Sequence, residues 1–137
     1  MEVTTGSCLC GAVKYKVEGA ARGVTNCHCP MCRKQHGAAF ATYAAYPKDD
    51  VRVVAGEEQV QVYRSGPETE RHFCRICGSS LFWLDTTGPR IWVAVGTLDG
   101  DPGRPMEGHI FVGSKAPWYT ITDDLPQYDT WSTAGEE

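Results

Sequence analysis

Seven cysteines stand in three tight groups: Cys8 and Cys10; Cys27, Cys29 and Cys32; Cys74 and Cys77. A thiolate is a metal ligand, and the C-x-x-C spacing wraps one turn of chain around an ion. Cys29 and Cys32 have that spacing, as do Cys74 and Cys77. Residues two apart on extended chain face the same way, so Cys8 and Cys10 converge on one ion while Leu9 turns into the core. By the same rule Cys27 and Cys29 converge and His28 points elsewhere. The odd count, and an N-terminal stretch "MEVTTGSCLC" without the pattern of a secretory leader, argue for metal or catalysis over a disulfide framework.

Two glycines sort the ligands. "CLCG" and "CRICG" both end in glycine, at Gly11 and Gly78, whereas Cys32 is followed by Arg33. Glycine permits the tight, positive-φ turn by which backbone N–H groups reach a thiolate sulfur. Cys8, Cys10, Cys74 and Cys77 therefore form a closed structural zinc site that ties the chain start to a distant strand end. Cys27, Cys29 and Cys32 remain. Three protein ligands with an exchangeable fourth position are the pattern of a catalytic zinc. His36, one turn beyond Cys32, is the residue placed to close that shell instead. Zn²⁺ with three thiolates carries about −1, which makes it a weak Lewis acid for carbonyls. It suits a soft incoming ligand, a thiol bound as thiolate. A held thiolate is a nucleophile, and a carbonyl compound is one natural electrophile.

These groups need elements to position them. The chain has 137 residues, 42% hydrophobic and 22% charged, which suits one domain over 1–137 with an ordered core of about 6–129 and a frayed tail "STAGEE". Strand-like runs dominate. "GAVKYKVEG" (11–19) alternates Val13, Tyr15 and Val17 against Lys14, Lys16 and Glu18. Further runs cover 38–46, 51–56, 59–66, 68–74, 79–85 and 90–99, with "YPKDD" and "AGEE" as turns between antiparallel strands. One short helix is expected over 30–36, with Pro30 in its first turn. Beyond residue 99 the chain is loop-rich. Trp83, Trp92 and Phe82 read as core, and His109 and Trp118 as packing. The expected fold is mainly β, with short antiparallel sheets braced by metal. The net charge of −4, without a basic stripe, makes nucleic acid a poor partner. No apolar run approaches the ~18 residues of a membrane span, so the cytoplasm is the expected location.

"GSCLCGAVKYKV", "CHCPMCRKQHG", "FCRICGSSLFW", "VAVGTLD" and "HIFVGSKAPWYTITDDLPQYD" together resemble the glutathione-dependent formaldehyde-activating enzyme (Gfa) family, the CENP-V/Gfa domain, from Gly6 to Asp129. The resemblance implies a β-tent fold with two zinc ions. A structural zinc would sit on Cys8, Cys10, Cys74 and Cys77, and a catalytic zinc on Cys27, Cys29 and Cys32. It implies addition of glutathione, or another small thiol, to formaldehyde or a similar small aldehyde, a carbon–sulfur lyase reaction in reverse. His36 then serves as general acid or base, or donates to a cysteine sulfur. Arg33 either attracts glutathione carboxylates or shares a solvated helix face with Lys34. The competing class is a non-enzymatic β-tent zinc module that binds a protein partner. The three-cysteine group favours the enzyme.

Overall fold

The structure, a computed structural model, describes residues 2–132. Of the tail "STAGEE", all but Ser132 lies outside the described residues. The elements run β1 (Val3–Ser7), β2 (Lys14–Glu18), β3 (Gly23–Cys27), α1 (Pro30–His36), β4 (Ala41–Pro47), β5 (Val51–Ala55), β6 (Val60–Arg64), β7 (Thr69–Cys74), β8 (Ser80–Asp85), β9 (Arg90–Ala94) and β10 (Gly108–Ile110). They build a three-stranded sheet, β1-β2-β5, and a seven-stranded sheet, β10-β3-β4-β9-β8-β7-β6. The pairing is antiparallel except where β10 lies parallel to β3. The protein is thus mainly β, with α1 the one α-helix among the described residues.

The alternation read in β2 holds: Tyr15 and Val17 are fully buried, and Lys14, Lys16 and Glu18 are exposed. That buried face packs on the seven-stranded sheet, where Tyr15 meets Phe82 edge-on with ring centroids 5.0 Å apart. Leu81, Val93 and Tyr46 complete the same core. Each such side chain withdrawn from water contributes roughly 1.5–3 kcal/mol. Tyr15 also explains Gly6, its cross-strand partner in β1. A Cβ on Gly6 would meet the Tyr15 hydroxyl at 2.4 Å, and that hydroxyl is bonded to Thr97 Oγ1 at 2.6 Å.

Three expectations are corrected. "YPKDD" and "AGEE" do not join paired strands. β4 and β5 lie in different sheets, as do β5 and β6, because β5 crosses to pair with β2. The crossings are made by single 3-10 turns at Lys48–Asp50 and Glu57–Gln59. The run 90–99 ends as strand at Ala94, and a 3-10 turn over Val95–Thr97 follows. Leu9 does not enter the core but is 88% exposed, because residues 8–11 form a turn closed by Gly11 N–H donating to Cys8 O at 3.1 Å.

Candidate metal centres

The fold delivers the four distant cysteines to one point. Cys8 follows β1 in the small sheet and Cys74 ends β7 in the large one, while Cys10 and Cys77 lie in the turns beyond. Their four sulfurs lie within 4.8 Å of one another. Tetrahedral zinc at 2.3 Å from each sulfur sets neighbouring sulfurs about 3.8 Å apart. The Cys8–Cys10 and Cys10–Cys74 separations are 3.6 and 3.9 Å, so the donor set fits such an ion. The glycine reasoning is visible in the backbone: Gly11 and Gly78 have φ of 81° and 82°. Around those turns Val13 N–H donates to Cys8 Sγ at 3.3 Å, and the Ser79 hydroxyl lies 3.1 Å from Cys77 Sγ. The Ser79 hydroxyl and the backbone N–H groups of Cys10 and Ser79 pull the Cys77 thiol down to about 5. A thiol so held is readily a metal ligand. This group couples the two sheets.

The second group forms at the start of α1. Cys27 ends β3, Cys29 caps the helix, and Cys32 lies one turn in. The Cys29 sulfur accepts the Cys32 N–H at 3.3 Å, and Cys32 and Cys27 sulfurs are 3.4 Å apart. All three sulfurs lie within 4.8 Å, and no fourth His, Cys, Asp or Glu joins them among the described residues. The thiols are driven apart in acidity. Cys29, accepting from Cys27 and Cys32, is held far below the ordinary thiol range. Cys27 is pushed up, first by Cys29.

A charge that the sequence reading missed sits against this group. Arg71 of β7 is 4% exposed. Its Nη1 and Nη2 each lie 3.8 Å from Cys32 Sγ, Nη1 also donates to Gln35 Oε1 at 2.9 Å, and Nε has no partner. Alternation back from Cys74 puts Arg71 on the opposite face of β7, beside Trp83 of β8, and α1 covers that face, so the guanidinium is buried there.

The histidines and Arg33 sit elsewhere than at the sulfurs. His36 Nε2 lies 3.0 Å from Tyr43 Oη, and burial, then Arg71, lowers its pKa. Burial, then Cys32, raises the pKa of Tyr43. Arg33 Nε donates to His28 O at 3.3 Å and a terminal nitrogen to Ser114 O at 3.2 Å, so this guanidinium ties α1 to a later turn. His28 points away from the cysteines, as alternation requires, and its Nε2 lies 2.9 Å from His109 Nδ1. His109 Nε2 in turn meets Asp123 at 3.0 Å. Both imidazoles are fully buried, so His109 is packed as expected; Trp118 is not, at 69% exposure.

Beside the three cysteines lies a cavity of about 170 Å³. Tyr43 and Arg71 line it near the sulfurs, and Trp83, Trp92, Phe111 and Trp131 supply much of its wall. Trp83 and Trp92 are half-buried: they pack against the buried cluster of Cys27, Cys32, Tyr43 and Ile110, as read, and they also form cavity wall. They face across β8 and β9 with centroids 4.8 Å apart. Phe111 packs on Trp131 at 5.1 Å and has φ 58°, the left-handed region that bulky residues avoid. Holding it there costs about 1–3 kcal/mol.

The sequence profile of the glutathione-dependent formaldehyde-activating enzyme family matches residues 3–114. A Halomonas elongata protein that carries this family's name is 32% identical over 124 residues, which cover 85% of this chain and 79% of that protein. The crystal structure of a Rhodobacter sphaeroides protein, a structural-genomics target, superposes with a TM-score of 0.61 at 32% identity. The match covers 71% of this chain and 89% of that one.

Proposed function

The chain belongs to the glutathione-dependent formaldehyde-activating enzyme family, and from that premise we propose that Cys27, Cys29 and Cys32 form the site at which a thiol adds to an aldehyde. The observation that carries this reading is the three-sulfur group, without a fourth protein ligand among the described residues, opening on a cavity. Glutathione is the thiol that the family name implies, and the reaction is that of a carbon–sulfur lyase run in the direction of bond formation. A zinc ion held by the three cysteines would supply the Lewis acidity that keeps a thiol ionised at neutral pH. A second zinc on Cys8, Cys10, Cys74 and Cys77 would be structural.

The chain's own residues have separable tasks. Arg71 offsets the negative charge of the sulfur group and lines the cavity where an alkoxide would form. Tyr43 lines the same cavity, and in the His36 tautomer whose Nε2–H donates to the phenol oxygen, the proton of Tyr43 is directed to that alkoxide. His36 is then a positioning residue that acts through Tyr43. The aromatic wall excludes water, which strengthens each of these interactions. Among the described residues no helix is long and apolar enough to cross a membrane, and placing the reaction in the cytoplasm belongs to the same proposal.

The test is thiol-dependent aldehyde consumption by purified zinc-loaded protein, measured above the uncatalysed rate. Activity that needs both thiol and aldehyde and is lost in Cys29→Ser supports the reading. Absence of thiol dependence with every small thiol tried favours a protein-binding module.

A further inference from the structure

We infer that the cavity beside Cys27, Cys29 and Cys32 receives the side group of an aldehyde that carries an aromatic ring or an apolar group of similar size. The inference rests on the thiol-addition reading and names its electrophile.

Size is the first argument. Formaldehyde has two heavy atoms and occupies about the space of one water molecule, roughly 30 Å³. The cavity measures about 170 Å³. An apolar cavity of about 150 Å³ takes a benzene ring. Formaldehyde would leave most of this space unfilled, and unfilled apolar space forfeits contact energy.

Lining is the second. Indole and phenyl faces of Trp83, Trp92, Trp131 and Phe111, with Ile110, make the wall, and Arg71 is the one charged residue on it. The charged end of the cavity is thus the end at Arg71 and Cys32, while Thr25, Ser65 and Thr69 add hydroxyls to the wall. A carbonyl held there directs its substituent into the aromatic part. The wall is also built at a cost, since Phe111 keeps a left-handed backbone to place its ring against Trp131. Trp83 and Trp92, themselves packed edge-on, line the cavity, and a bound ring would find in them the aromatic partners that such groups prefer.

The thiol is the poorer fit for this space. Glutathione carries two carboxylates and an ammonium group, and burying them unpaired is prohibitive. An adjoining groove of about 480 Å³ shares Trp83, Trp92 and Trp131 with the cavity and adds Asp85, Arg90 and Glu107. A charged peptide keeps its ends solvated in such a polar groove, which the aromatic cavity does not allow. The aldehyde is left to fill the aromatic cavity. The step balances without an oxidant: a sulfur–carbon bond forms, the carbonyl π bond breaks, its electron pair moves to oxygen, and the proton from the thiol ends on that oxygen. Formaldehyde adds thiols readily in water, whereas a conjugated or crowded carbonyl adds them slowly and leaves more rate for a protein to supply.

Two measurements test this on zinc-loaded protein. Tryptophan fluorescence is titrated with benzyl alcohol and with methanol, unreactive counterparts of an aryl aldehyde and of formaldehyde. Benzyl alcohol should quench saturably and methanol should not, and Ser65→Phe, which fills the cavity from the β6–β7 turn, should abolish the quench. Thr69→Leu is the second filling variant if Ser65→Phe does not fold. In the glutathione-dependent reaction kcat/KM for benzaldehyde should exceed that for formaldehyde by at least about tenfold, the least that one apolar group of this size earns in a fitted pocket. The ratio should collapse in the filling variant. Non-saturable binding of benzyl alcohol, or preference for formaldehyde, overturns the inference and leaves thiol addition standing. If the preference follows benzyl mercaptan over glutathione instead, the cavity belongs to the thiol and the inference is equally overturned. If no thiol reacts, thiol addition falls, and the fluorescence titration alone decides the cavity's ligand class.

Discussion

Arg71 holds both terminal guanidinium nitrogens 3.8 Å from the sulfur of Cys32. A buried cation at this distance favours the ionised forms of Cys32 and Cys29. In metal-free protein, Arg71→Met should therefore raise the pH midpoint for alkylation of the Cys27–Cys29–Cys32 group by iodoacetamide. The expected shift is about one unit, the equivalent of ~1.4 kcal/mol. Methionine is also long and unbranched, and circular dichroism should show the strands retained. An unchanged midpoint would mean that the guanidinium charge is not felt at the sulfurs.

The two cysteine groups should differ in lability. The four-sulfur group joins the small sheet to the large one, whereas the three-sulfur group sits where a single helix begins. Cys8→Ser and Cys77→Ser should unfold or aggregate the protein, because a metal there contributes folding energy outright. Cys32→Ser should melt as a folded protein with one metal equivalent fewer. Mild chelation should likewise remove one of two zinc equivalents first. Loss of both together, or equal damage from all three substitutions, contradicts the division.

Gly6→Ala tests the seam between the sheets. The added methyl would meet the Tyr15 ring at 2.3 Å and Thr97 O at 2.7 Å. Overpacking of this kind costs about 1–3 kcal/mol. Thermal melts should show that loss, and the loss should shrink in a Tyr15→Val background, where the ring is absent. Equal losses in both backgrounds would place the strain elsewhere.

Phe111→Gly separates strain from function. Glycine relieves the left-handed backbone, a gain of about 1–2 kcal/mol, and loses the ring packing on Trp131. The two effects oppose each other, so the melting temperature should move little. The benzyl alcohol quench should nonetheless weaken, since part of the wall is gone. A large stability loss with the quench intact would assign Phe111 to packing alone.

The two cysteine groups that could hold metal were legible in the sequence because ligand spacing is local and glycine reports a backbone need. Gly11 and Gly78 adopt the positive φ that the grouping requires, and Pro30–His36 is helical as read. Cys8 and Cys10 converge, but through a turn that exposes Leu9, a distinction that alternation alone does not draw. Strand pairing was less legible. β1 carries Gly6 at a close approach, β3 carries Asn26, and β10 has three residues, so none makes an apolar run. Arg71 escaped notice because it lies on the face of β7 away from Cys74, and only the tertiary packing of α1 on that face buries it. That Trp83 and Trp92 pack on the core and also wall a cavity was not legible, because an aromatic on a strand looks the same in either setting. The His28–His109–Asp123 chain joins positions far apart in sequence, and no local pattern announces it.

The most direct measurement of thiol addition at Cys27, Cys29 and Cys32 is the absorption spectrum of the cobalt-substituted protein during a glutathione titration. Co²⁺ takes zinc's place in thiolate shells and reports each sulfur through a charge-transfer band. That band should grow saturably as glutathione is added, reach a plateau at one equivalent bound per chain, and stay flat in Cys32→Ser. A spectrum unmoved by glutathione, cysteine and benzyl mercaptan alike would contradict thiol binding at the three-cysteine centre.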